Sequence, residues 1–195
     1  MQTRLPTEHR QAEIVAAALQ LARESSPALI TSGDIAAAIG VTQGAVFKHF
    51  PTKDAIWLAA MRWVREALLQ ALAAARDRAA TPLDALSAVF RAHVEFIVAH
   101  PGVPRLIFHE LQQAADSPAK REVRALLQAY RKLLLELLAR APIGRESDAE
   151  AAATAFIGLV QGLVMQSMVT GRPAAMRQQA DPVLALYLRG LGVTP

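Results

Sequence analysis

The apolar residues of this 195-residue chain recur at intervals of three and four almost from end to end, and no stretch strings together Val, Ile and Thr in alternation with polar residues. Side chains with that spacing share a face only when the backbone repeats every 3.6 residues, so they can be buried together only by coiling into helices. The fold class is therefore all-α, and the open question is where each helix starts and stops.

Helix starts are written as hydroxyl residues that can accept a bond from an otherwise unpaired backbone N–H. Thr7, Thr31, Thr42 and Thr52 mark four of them in the first third of the chain. Further on, "TP" at Thr81 and Pro82 and "SP" at Ser117 and Pro118 place proline at the first helical position, where its missing N–H is harmless. "SDAE" at 147–150 has the form of a capping box, and "DP" at Asp181 and Pro182 marks the start of a last helix. "AHPGVPRL" at 99–106 interrupts a long apolar run. These signals predict helices over 7–25, 32–39, 43–49, 53–79, 82–99, 103–115, 118–140, 148–170 and 181–191, about nine in all.

The shortest of these helices raises the functional question. Segments 32–39 and 43–49 are joined by "GVT", with Ile35, Ile39, Val46 and Phe50 available for a shared core, which is the pattern of a helix-turn-helix. On the second helix Val46 and Phe50 lie on one face, whereas Gln43, Gly44, Phe47 and Lys48 lie on the other. A DNA major groove accepts such a face: Gln pairs bidentately with adenine, and a missing side chain at Gly44 lets the helix come close. Thr31, Ser32, Thr42 and Lys53 sit at helix N-termini, where free N–H groups and the helix dipole favour a phosphate. Charge alone makes no such case: the net charge is +4 overall, and residues 1–50 hold equal numbers of acidic and basic side chains.

"TSGDIAAAIGVTQGAVFKHFPTKDAI", residues 31–56, resembles the DNA-binding domain of TetR/AcrR-type bacterial transcriptional regulators. The family pattern runs Thr, three residues, Ile-Ala, then Gly-Val-Ser/Thr-x-Gly-x-Leu/Val-Tyr/Phe-x-His-Phe-x-x-Lys, and by motif the likeness covers roughly residues 7–65. The resemblance implies that Thr31, Ser32, Thr42, Ala45, Phe47, His49 and Lys53 contact or support the DNA backbone and that Gln43 and Gly44 read bases. Phe47 stands where Tyr is common, Gly33 where a longer side chain often reads a base, and "ESSPAL" lacks the glycine that usually follows the first helix. These departures shift weight onto Gln43 and Lys48. The implied organisation is a helix-turn-helix domain over 1–52 and a helical effector-binding and dimerisation domain over 53–195.

Within the second domain, Met61, His93, Phe96 and Phe108 are candidate effector contacts. His93 shares a stripe with Leu86, Phe90 and Ile97, so a core histidine bonded to a neighbour competes with a ligand contact. Trp57, Trp63 and Met165 suit either an apolar pocket or plain core. Leu127, Tyr130 and Leu134 on one helix, with Phe156, Leu159 and Leu163 on the next, are candidates for half of a four-helix dimer interface. Residues 151–171 carry no charge and have the length of a membrane span, but Thr154, Gln161, Gln166 and Ser167 within it favour a helix packed against its own domain and a partner.

The chain has no cysteine, which excludes disulfides, thiolate nucleophiles and cysteine-based metal sites. "HELQQ" at 109–113 puts Gln113 where a zinc-protease helix has its second histidine, and no metal or cofactor is expected. No phosphate-binding loop, dinucleotide fingerprint or G-x-S-x-G is present, and the first residues lack the apolar core of a secretory signal. The expectation is a non-enzymatic, cytoplasmic, homodimeric repressor that binds a double-stranded operator and is released by a small apolar or amphipathic effector. Its rivals are a small-molecule-binding or enzymatic helical protein with a decayed DNA-binding head, and a membrane-associated helical protein.

Overall fold

A computed structural model describes residues 7–144 and 148–193. The described residues form nine helices and no strand: α1 Thr7–Leu21, α2 Ser32–Ala38, α3 Gln43–Phe47, α4 Lys53–Asp77, α5 Pro82–Ala99, α6 Val103–Gln112, α7 Pro118–Leu138, α8 Ala149–Thr170 and α9 Ala175–Gly190. The hydroxyl caps do what their chemistry dictates. Thr42, Thr52 and Thr81 accept from the backbone N–H groups of Ala45, Ala55 and Asp84 at 3.1–3.2 Å, and Ser117 accepts from Lys120 at 2.9 Å. Several helices, α1 and α6 among them, end a few residues earlier than the apolar pattern predicts.

Two starts differ from expectation. Ser147 lies outside the described residues, and the cap of α8 is Asp148, whose carboxylate accepts from the N–H of Glu150 at 2.9 Å. Helix α9 begins at Ala175 rather than 181 and carries Pro182 in its interior. Met176, Ala180, Leu184 and Tyr187 form one buried stripe along it, and that packing outweighs the single N–H bond which proline removes.

The chain divides into two compact units. The first comprises residues up to Arg65 together with His100–Arg124; the second comprises Glu66–Ala99 and residues from Ala125 onward. In the first, Ile14, Ala18, Ile35, Val46, Ile56 and Ala60 are completely buried and hold α1–α3 to the start of α4. Helix α6 belongs to this same core. Gly102, its N-cap, lies so close to α1 that an added Cβ would sit 2.0 Å from the Leu19 carbonyl oxygen. Beside it, Arg105 Nε donates to the Arg23 carbonyl at 3.2 Å, closing the end of α1. Glu122 on α7 pairs with Arg62 at 3.2 Å and Arg65 at 2.7 Å.

The second unit is organised around edge-to-face aromatics: Phe156 packs against Phe90 at 5.3 Å and Tyr187 at 5.5 Å between ring centres. Tyr187 donates to the Ala152 carbonyl at 3.0 Å, joining α9 to α8. Arg177 holds Glu95 through two nitrogens at 2.8 Å, joining α9 to α5. Tyr130, Leu134, Phe156 and Leu163 are buried inside this core and offer no face to a second copy, contrary to the interface expected of them. The most apolar stripe of a helix is the one its own domain buries; Leu127 and Leu159 alone among those candidates keep exposure.

Candidate nucleic-acid interface

Helices α2 and α3 pack through Ile35, Ala36 and Val46, and this packing decides which residues face outward. At the start of α2, Thr31 and Asp34 form a reciprocal cap: Asp34 N–H donates to Thr31 Oγ1 at 3.1 Å, and Asp34 Oδ2 accepts from Thr31 N–H at 2.8 Å. The backbone donor of Thr31, with its hydroxyl, holds the Asp34 carboxyl below the usual carboxylate range. Ser32, the first residue of α2, is buried beside this cap. Gly40, with φ +66°, reverses the chain in the left-handed conformation that glycine adopts most easily.

Helix α3 starts at the exposed Thr42 cap and inserts Val46 inward, with Phe50 buried just beyond it. Gln43, Gly44, Phe47 and Lys48 are exposed together on the opposite face, and Ala45 is half-buried between them. A Cβ on Gly44 would meet only Thr42 Oγ1, at 4.0 Å. The fold therefore does not require glycine there, and the open space lies in front of the outward face. Phe47 is 42% exposed on this face.

Two of the expected residues act within the protein as well. The Lys53 ammonium donates to the carbonyls of Ala28 at 2.9 Å and Pro27 at 3.4 Å, tying the first residue of α4 to the loop before α2. His49 is half-buried; its carbonyl accepts from Gln11 Nε2 at 3.4 Å, while its Nδ1 is buried with no partner among the described residues. These contacts fix the end of α3 and the start of α4 on either side of the outward face.

The effector candidates are placed as follows. Met61, in the first unit, is completely buried, and Phe108, also there, is half-buried. In the second unit Phe96 is buried, and His93 Nδ1 lies 3.2 Å from the Tyr130 hydroxyl. Burial pushes the His93 pKa down to about 4 and the Tyr130 phenol up, so this is a neutral hydrogen-bonded pair at neutral pH. Among the described residues no three His, Asp or Glu side chains cluster as metal ligands. The close approach at Gly102 is invisible in sequence except as the break between Pro101 and Pro104.

An all-helical chain whose first unit presents a capped helix-turn-helix with one outward polar face has the architecture of a helix-turn-helix transcriptional regulator. Residues 14–60 match the bacterial regulatory proteins of the tetR family. The nucleoid occlusion factor SlmA of Shewanella frigidimarina is 21% identical, over 83% of this chain and 84% of that protein. The HTH-type transcriptional regulator BetI of Rhizobium meliloti is 26% identical, over 86% of this chain and 82% of that one. In fold, the chain is similar to the transcriptional regulator FadR of Bacillus subtilis, whose crystal structure holds stearoyl-CoA: the TM-score is 0.79 at 18% identity, over 92% of this chain and 98% of that one. Residues 14–60 thus carry the sequence of a tetR-family regulatory domain, within a chain similar along most of its length to a helix-turn-helix transcriptional regulator.

Proposed function

We propose that the protein is a homodimeric repressor that reads a palindromic operator with two copies of α3 and leaves it when a small apolar or amphipathic effector binds. The observation that carries this reading is the exposed set Gln43, Gly44, Phe47 and Lys48 on a helix anchored from behind by Val46 and Phe50. Gln43 reads an adenine edge; Lys48 and the capped N-termini at Thr31 and Thr42 hold phosphates, with Ser32, Ala45, His49 and Lys53 supporting them. In this division of labour residues 1–52 bind DNA and 53–195 bind effector and partner, with α4 as the lever between the tasks. The effector must favour one dimer geometry over another, because a ligand indifferent to both shifts nothing.

Dimerisation has support from α8. Ala151, Ala155, Gly158, Gly162, Met165 and Val169 follow one another at spacings of four and three, all exposed except Gly162, which is half-buried. Val169 is 80% exposed and Leu186 on α9 62%, and neither glycine has another atom of its own chain near a Cβ position. Such a stripe buries well against a symmetric copy of itself. By length and composition α8 also suits a membrane span, but its polar Gln161 and Gln166 share the exposed surface, which suits a protein partner in the cytoplasm. We assign no enzymatic activity.

The test is binding to an operator recovered by selection from random duplexes, measured by fluorescence anisotropy at several salt concentrations. Gln43→Ala should lower discrimination between operator and scrambled DNA by about 1–3 kcal/mol. Lys48→Ala should weaken both equally and reduce the salt slope by roughly 0.9 for each phosphate that the lysine neutralises. Wild-type affinity, selectivity and slope in both variants would remove the assignment.

A further inference from the structure

The first unit contains a cleft of about 690 Å³ whose lining shares only Lys53 with the residues proposed for DNA and includes none of the four effector candidates. Its walls are the start of α4, with Lys53, Trp57 and Leu58, and the corner between α6 and α7, with His109, Glu110 and Pro118. The volume is in the range of small-molecule sites, which run roughly 300–1,000 Å³.

One buried polar group at this cleft lacks the partner that burial demands, and a second is a carboxylate with no cation beside it among the described residues. Trp57 is 3% exposed, and its indole N–H has no acceptor among the described residues. Glu110 is 6% exposed; one oxygen accepts from the Ser117 hydroxyl at 2.8 Å, and among the described residues no Lys, Arg or His pairs with it. Buried donors are almost always satisfied, and buried carboxylates are usually paired with a cation. The one Lys in the lining, Lys53, spends its ammonium on the Ala28 and Pro27 carbonyls, and Asp54 adds a second carboxylate to the rim. The cleft thus offers apolar walls, an excess of negative charge and one unused N–H donor.

We propose that this cleft binds a small organic ammonium ion with an apolar body and a hydrogen-bond acceptor, the ammonium on Glu110 and the acceptor on the Trp57 indole N–H. An anionic ligand would meet Glu110 as a like charge, and a neutral one would leave the carboxylate unpaired. Bound there, the ligand touches Thr52 and Lys53 at the first turn of α4, and Ala28, whose carbonyl Lys53 holds. Its consequence for DNA affinity rests on the proposed operator reading; its binding does not.

The test uses the full chain labelled with ¹⁵N and follows the indole N–H resonances of its two tryptophans, assigned with Trp63→Phe. The probes are 2-phenoxyethylamine, 2-phenoxyethanol and phenoxyacetate, which share a body and an ether oxygen but differ in charge. The expected result is a saturable movement of the Trp57 resonance with the amine, about tenfold or more tighter than with the alcohol, a ratio typical of a charge-assisted contact. Phenoxyacetate should leave it unmoved. Glu110→Gln keeps an oxygen for the Ser117 hydroxyl but removes the charge, and should reduce the amine to the affinity of the alcohol. Equal responses to the three probes, no saturable response, or undiminished amine binding in a folded Glu110→Gln protein would each overturn the proposal. Since no DNA is present, a negative result here leaves operator binding standing, and a failure to find an operator leaves this result standing.

Discussion

Replacing Gly102 with Ala sets two opposed effects against each other, and the structure decides which prevails. Gly102 has φ −77° and ψ −21°, a conformation that alanine adopts without strain. On backbone entropy alone the change should therefore stabilise by about 0.4–1 kcal/mol. The new Cβ, however, would lie 2.0 Å from the Leu19 oxygen and 3.1 Å from both the Leu19 carbonyl carbon and the Arg23 nitrogen. All three are backbone atoms of α1 and its end, so no side chain can rotate away; α1 and α6 must move apart. Overpacking of this kind typically costs about 1–3 kcal/mol, and a backbone obstacle puts it at the upper end. The net effect should be a destabilisation of about 2 kcal/mol, which for a chain of this length lowers Tm by roughly 4–8 °C. Calorimetry at fixed protein concentration measures it, with Gly33→Ala as the control. There the added Cβ meets only Thr31 Oγ1 at 3.4 Å, and stability should rise by up to about 1 kcal/mol. A Gly102→Ala protein as stable as the parent would refute the close junction between α1 and α6.

Other expectations concern individual side chains. His93, with a folded pKa of about 4 against an ordinary 6.5, is protonated first in the unfolded chain, so its contribution to stability is present above pH 6.5 and lost as pH falls towards 4. About 3 kcal/mol is at stake, with about 2 kcal/mol gone by pH 5; urea unfolding of the parent and His93→Gln across that range should show the window only in the parent. Asp34→Ala removes the reciprocal bond to the Thr31 N–H and should lower the urea midpoint of unfolding. Gly162→Leu should leave the helicity of the chain intact, since nothing in the chain itself lies within 4 Å of that Cβ position, yet shift sedimentation from dimer to monomer. An undisturbed dimer would move the interface off the α8 stripe.

Sequence reveals the head of the protein more completely than the rest, for a physical reason. Around α2 and α3 the inward residues, the capping threonines and the reversing Gly40 are all local signals, so spacing alone orients Gln43 and Lys48 outward. The start of α9 is obscured because Asp181 and Pro182 imitate a helix start, and only the buried stripe through Met176 and Ala180 shows that the helix is already under way. Tyr130, Leu134 and Phe156 suggest an interface because they are the most apolar positions of their helices, yet the same property buries them in their own core. The approach of Gly102 to Leu19 and the cleft that Trp57 and Glu110 both line are tertiary events between distant segments, with no periodicity to announce them.

The most direct test of the central claim is selection of random duplex DNA by the purified protein, followed by anisotropy titration of the recovered site and its scrambled counterpart. A dimer that reads DNA through α3 predicts a palindrome whose half-sites are about one helical turn apart or a multiple of it, bound selectively and with strong salt dependence. It also predicts that Gln43→Ala erases the preference at one base pair in each half-site. Recovery of no common sequence, or equal affinity for site and scramble, would contradict it.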